Sequence, residues 1–215
     1  MQKPSSKTGS SATPVSIVVG LGNPGPTYDH TRHNVGFDVL DVWAAAHGAT
    51  AFRQERLGPA MVAKGQGTGP DGAAMPILLV KPTTYMNLSG RAVRAWMDWM
   101  KAPLSSVLVV VDDVALELGS VRLRPSGSSG GHNGLRSIEA EAGGQGYPRL
   151  RCGVGPIPPG WPLERFVLGK FTPPEKELYA KLLTTAAESI DTLLKDGMER
   201  AMNRVNARQR PSPAA

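Results

Sequence analysis

Five consecutive apolar residues, Val107-Leu108-Val109-Val110-Val111, followed at once by Asp112-Asp113, constrain this chain more than any other stretch. A strand that alternates apolar and polar residues buries one face. An unbroken β-branched run buries both, and the arrangement that covers both faces is a parallel sheet between helices. Acids at the C-terminal end of such a strand stand on the edge where α/β sheets hold their ligands. Two shorter runs, 17–19 and 77–80, have the same character, and helical spacing separates them at 35–46. The expected fold class is therefore α/β: a single domain with a twisted, mixed, mostly parallel sheet flanked by helices. A chain of 215 residues with 40% apolar content is enough for one such core.

The remaining segments fit this frame. Helical patterns run over 89–100, 135–142 and 173–195, the last opened by Pro173-Pro174 and closed by Gly197. A basic helical tail follows over 200–210. Strands are expected at 121–124, on an edge, and at 150–154. Residues 51–72 are mixed, with strand-like pieces at 52–57 and 60–64 and a glycine-rich turn. No internal repeat is present. The domain is expected over 15–208, with disordered ends over 1–14 and 209–215. The N-terminal stretch is rich in Ser and Thr and free of acid, so a remnant of an organelle-targeting segment is the alternative to a plain disordered extension. No run approaches the roughly 18 apolar residues of a membrane span, and the chain is read as soluble. The lone Cys152 excludes a disulfide framework and a thiolate metal site, and fits a reducing compartment.

Two phosphate-binding motifs are nearly formed, and both fail in mechanism. Gly20, Gly22 and Gly25 satisfy G-x-G-x-x-G after a strand, but Pro24 and Pro26 remove two of the amide donors that a pyrophosphate needs. The same residues frame a Walker A loop with Pro26 where the lysine belongs, so nothing there neutralises the β- and γ-phosphates. His30 and His33 are too few for a metal ligand set, since only four His exist.

What remains is a set of uncharged polar groups at strand ends: Asn23 and His33, Asn87, Asp112, then His132 and Asn133. A neutral His beside a carboxylate is a general base, one ring N–H held by the acid and the other nitrogen free to take a proton. Asn side chains grip amide and ester groups without adding charge. Helix capping is the alternative role for Asn87 and Asn133, which precede helical patterns. No G-x-S-x-G is present and Cys152 lies in an apolar strand, which leaves attack by a His-activated water on an ester as the economical chemistry. The net charge of +6 points to an acidic partner, with nucleic acid first.

The motifs GLGNPGPTYDHTRHNVGF, KPTTYMNLSG, VDD and SGGHNGLRSI, with RLRCGVG and VLGKF after them, closely resemble the bacterial-type peptidyl-tRNA hydrolase family over about residues 15–206. The resemblance implies cleavage of the ester between a stalled peptide and the 3′ end of tRNA, without metal or cofactor, by a cytoplasmic, monomeric enzyme with no membrane partner. It implies that His33 is the general base, that Asp112 stabilises its proton-accepting form, and that Asn23 separates N-blocked from free aminoacyl-tRNA. Tyr28, Tyr85, Asn87 and Asn133 match substrate-contacting positions, with Met86 and His132 lining the same groove. Arg124 and Arg151 fall where the family clamps a phosphate of the acceptor arm, and Arg122, Arg136 and Arg149 nearby account for the positive charge. The chain departs from the family at Ala115, at Glu117 and Leu118, and in the loop Gly-Ser-Ser-Gly-Gly before His132. Plant organelles hold relatives of the family that bind a partner in group II intron splicing. That non-catalytic role is the alternative function.

Overall fold

The structure, a computed structural model, describes residues 14–207. The tail expected over 209–215 and, apart from Pro14, the extension expected over 1–14 lie outside the described residues, as does the end of the basic segment 200–210.

Seven strands form one sheet: β1 (Ile17–Gly20), β2 (Arg53–Glu55), β3 (Ala60–Thr68), β4 (Ala74–Pro82), β5 (Val107–Glu117), β6 (Val121–Arg124) and β7 (Arg149–Gly155). Their order is β2-β3-β4-β1-β5-β7-β6. Neighbours from β4 to β7 are parallel, and the pairs at either edge are antiparallel. The unalternating run takes the place its composition demands. Val107 to Val111 are all buried, with β1 on one side and β7 on the other.

Successive residues of that run feed two different cores. Leu108 and Val110 pack with α1 (Val35–Ala46) and α5 (Pro173–Ala207), while Val107, Val109 and Val111 pack with α2 (Ser89–Met100) and α3 (Asn133–Ala142). The domain thus has three layers, helices over each face of the sheet. Gly197 interrupts α5 with φ 74° and ψ 170°, so the expected stop is a break from which the helix restarts. The restarted segment closes the edge of the sheet. Asn206 accepts the Leu123 N–H at 2.9 Å and donates to the Leu123 carbonyl at 3.2 Å, as a neighbouring strand would.

Two differences from the sequence reading have physical causes. The glycines of 65–67 belong to β3, not to a turn. A Cβ at Gly65 would lie 2.7 Å from Trp43 and one at Gly67 2.5 Å from Leu194, so bulk on the helices requires glycine in the strand. A short helix, α4 (Leu163–Val167), went unpredicted because five residues are too few to show a period.

Helix α1 approaches the sheet closely enough to touch backbone. A Cβ at Gly36 would sit 2.4 Å from the Leu21 nitrogen and 2.6 Å from the Val110 carbonyl oxygen. Neither atom can swing aside, so α1 would have to lift. Gly36→Ala is expected to cost about 3 kcal/mol in chemical denaturation, against less than about 0.5 kcal/mol for Gly146→Ala, which meets nothing within 4 Å. Equal stability of the two variants would refute the close-packing account.

Candidate active site

The loops after β1 and β4, the end of β5 and the start of α3 surround one cavity of about 1050 Å³. Asn23, Tyr28, His33, Tyr85, Met86, Asn87, Asp112, Arg124, His132, Asn133 and Arg151 all line it. It lies at the carboxyl edge of the parallel strands, where no further residue of β1 or β4 fills the space between the layers.

Asp112 occupies the first position of β5 after the apolar run and is buried. Two imidazoles converge on its Oδ1: His33 Nδ1 at 2.9 Å and His132 Nε2 at 3.0 Å. Burial alone would raise the Asp112 pKa, but the charges of both histidines and their hydrogen bonds hold it far below the usual carboxylate range. As an anion it only accepts, so both ring nitrogens facing it carry protons. For His33 this leaves Nε2, unpartnered among the described residues, with its lone pair available on a ring that lines the cavity. Burial works to lower the His33 pKa, yet the Asp112 charge and hydrogen bond outweigh it and the net shift is upward.

His132 has a second task. It is the N-cap of α3, its Nδ1 accepting the N–H groups of Gly134 at 3.1 Å and Leu135 at 3.3 Å. The capping role open to Asn133 is therefore taken by its neighbour, and α2 has no side-chain cap from Asn87. The cap also bears on metals. Ligand-type atoms of His33, Asp112 and His132 lie within 4.8 Å of one another, a set that suits zinc by type. A metal at His132 Nε2 would push its proton onto Nδ1, which already faces two amide donors. The donor set does not fit an ion without breaking the cap.

Asn23 is fixed on three sides. Its N–H donates to Asn34 Oδ1 at 2.8 Å, its carbonyl accepts from Asn34 Nδ2 at 3.0 Å, and its Oδ1 accepts the Met86 N–H at 2.8 Å. The last bond sets the amide's orientation and leaves the Asn23 NH₂ group for the cavity. Asn87 and Asn133 are exposed, with no hydrogen-bond partner among the described residues. Tyr28 and Tyr85 meet edge to face at the rim, with ring centroids 6.4 Å apart.

The arginines divide into different kinds. Arg124 and Arg136 are exposed on the cavity lining and have no carboxylate partner among the described residues. Arg151 is ion-paired with Asp113 at 2.5 Å. Arg149 departs from expectation. It is buried against the Tyr147 ring at the floor of the cavity and donates to the Ser128 and Gln145 carbonyls. It tethers the Gly-Ser loop and adds little to the surface charge. Arg122 is half-buried on β6 and outside the cavity lining.

Sequence reasoning missed three contributors. Leu163, Glu164, Val167 and Leu168, on and after α4, form one wall. Asn34 holds Asn23, and Arg32 ties the turn that carries His33 to residues 169–175. For Asn34 and Arg32 the only signal was position, each lying next to His33.

Comparison with known proteins agrees with this geometry. The peptidyl-tRNA hydrolase family model matches residues 17–213. A peptidyl-tRNA hydrolase of a Synechococcus species is 44% identical over 203 residues, covering 94% of this chain and 87% of that protein. That of Gloeobacter violaceus is 43% identical over 197 residues, covering 92% and 96%. Among solved structures, the peptidyl-tRNA hydrolase of Acinetobacter baumannii superposes with a TM-score of 0.80 at 33% identity, covering 90% of this chain and 95% of that one. The chain belongs to the peptidyl-tRNA hydrolase family.

Proposed function

We propose that the protein hydrolyses the ester joining peptide to tRNA in peptidyl-tRNA, with His33 as the general base. The observation that carries this is the His33–Asp112 pair, which leaves one imidazole nitrogen proton-free beside unspent Asn side chains. The names of the relatives support the hydrolase, and the splicing-partner alternative is not favoured.

In this reading His33 Nε2 takes a proton from water as the oxygen attacks the ester carbonyl. Asp112 stabilises the imidazolium that forms. The tetrahedral oxyanion meets N–H donors, the Asn23 NH₂ among them, and collapse expels the terminal ribose oxygen of the tRNA. His33 returns its proton to that oxygen, so the products are a free peptide carboxylate and a tRNA hydroxyl. Asn23 also accounts for substrate choice. An N–H donor attracts the carbonyl of an N-blocked peptide and repels the ammonium of a free aminoacyl group. Asn87 and Asn133 grip the peptide, Tyr28, Tyr85 and Met86 line its path, and Arg124 with the unpaired part of Arg151 meets acceptor-arm phosphate. No described helix is long and apolar enough to cross a membrane. A ribosomal product as substrate places the enzyme where translation occurs, the cytoplasm or an organelle interior, and one chain supplies every group named.

Four experiments test this reading. His33→Ala is expected to keep the fold and lower turnover of N-blocked aminoacyl-tRNA by roughly a hundredfold or more. The base must be neutral to act, so wild-type kcat/KM should fall with pH through a midpoint above the ordinary histidine value of 6.5. Asp112→Asn removes the charge that raises that midpoint and should move it down. An acid limb that stays in place in Asp112→Asn would remove Asp112 from this role. In Asn23→Asp the Met86 bond survives but a carboxylate oxygen faces the substrate. The preference for N-blocked over free-amine aminoacyl-tRNA should drop by about tenfold, and an unchanged ratio would assign selectivity elsewhere. Arg124→Ala should flatten the dependence of log affinity on log salt by about one. A slope equal to wild type would take Arg124 out of the phosphate contact.

A further inference from the structure

Arg32 immediately precedes the base, yet its side chain is absent from the cavity lining and is almost fully buried, at 6% exposure. All four of its terminal N–H groups are spent in one direction. Nη1 donates to the carbonyls of Gly169 at 3.3 Å and Lys170 at 2.8 Å, and Nη2 makes paired bonds to Glu175 at 2.7 and 2.8 Å. The guanidinium also lies over the rings of Phe166, at 4.5 Å, and Phe171, at 4.8 Å. The main chain repeats the attachment, with Arg32 N–H bonded to Gly169 O at 3.1 Å and a bridge between Thr31 and Lys170. Glu175 is itself held, accepting the Thr172 N–H and O–H at 2.7 and 2.8 Å.

Everything Arg32 grips lies within or directly after the stretch that carries Leu163, Glu164, Val167 and Leu168 along the cavity. The base has separate anchors: His33 is bonded to Asp112, and Asn34 to Asn23. Removing the guanidinium therefore leaves the α4 wall held only by the main-chain ties of residues 31 and 32, and leaves the base in place. A fork of four donors is what such a junction needs, and a lysine cannot reproduce it.

We infer that Arg32 is a positioning residue that sets where the α4 wall stands relative to His33, and with it the fit of the substrate; this rests on the reading of His33 as the base. The test uses the full chain with Arg32→Lys, Glu175→Gln and the pair together. Each is assayed for kcat, KM and pH profile on N-blocked aminoacyl-tRNA, with thermal unfolding alongside. Arg32→Lys is expected to raise KM about tenfold with kcat within about twofold and the acid limb unmoved. Glu175→Gln should shift KM the same way by less, and the double variant should match Arg32→Lys alone, since both act through one junction. A purely structural loss would lower kcat with the folded fraction and leave KM alone. Unchanged KM in both single variants, or a kcat loss with a displaced acid limb, overturns the inference. If Arg32→Lys fails to fold, Glu175→Gln decides by the same readout. An inactive wild type sinks the proposed function and this inference together, whereas an active wild type with unmoved KM values sinks only this one.

Discussion

Two imidazole N–H groups meeting on one carboxylate oxygen are the contact on which the rest of the site depends. Asp112 stands where the fully apolar strand β5 ends, in the middle of the sheet, with little access to water. A charge there is tolerable only when hydrogen-bonded from more than one side. His33 arrives from the loop after β1 and His132 from the loop before α3, so the carboxylate is the knot that ties three distant segments together. Each histidine then has one nitrogen left. That of His132 stabilises the first turn of α3, and that of His33 faces the cavity. One residue type thus serves structure on one side of the anion and, in the proposed mechanism, chemistry on the other, and the partner of the second nitrogen decides which.

Much of this was legible in the sequence because its cause is local. The unalternating run 107–111 required helices on both faces, and the polar residues after each strand had to gather at one edge once the strands were parallel. The paired acids at 112 and 113 were readable as edge residues, but their separate fates were not. Asp112 points among histidines while Asp113 pairs with Arg151. Alternation along β5 separates them, and only the register with β7 shows which one faces His33. Arg149 and Arg151 make the same point. They are two residues apart on one strand, yet one is spent on the Gly-Ser loop and the other on Asp113. Counting arginines overstated the charge that reaches the cavity surface, since Arg149 is buried and Arg151 is paired.

Contacts between residues far apart in sequence were invisible for a simpler reason. Arg32 and Glu175 are 143 positions apart, and nothing in either segment marks the other as its partner. Gly65 and Gly67 look like turn residues until Trp43 and Leu194 are seen packed over them. In each case the residue type was chosen by a neighbour that the linear pattern cannot supply.

The loop from Gly20 to Asn34 brings these threads together. Its glycines and prolines resemble a phosphate loop, but Pro24 and Pro26 offer no amide and those of Leu21, Asn23 and Tyr28 are used within the protein. The Asn34 side chain bonds both the N–H and the carbonyl of Asn23, closing an 11-residue span as a strand partner would. Closure of that span fixes Asn23 and His33 relative to each other before substrate arrives. In the proposed mechanism the ordering of donor and base is then part of the folding free energy and not of the activation barrier. With the prolines restricting the intervening chain and Asp112 holding the far end, the loop contributes stiffness, and the water attack proposed above calls for it: water is held weakly, so the groups proposed to aim it have to be held well.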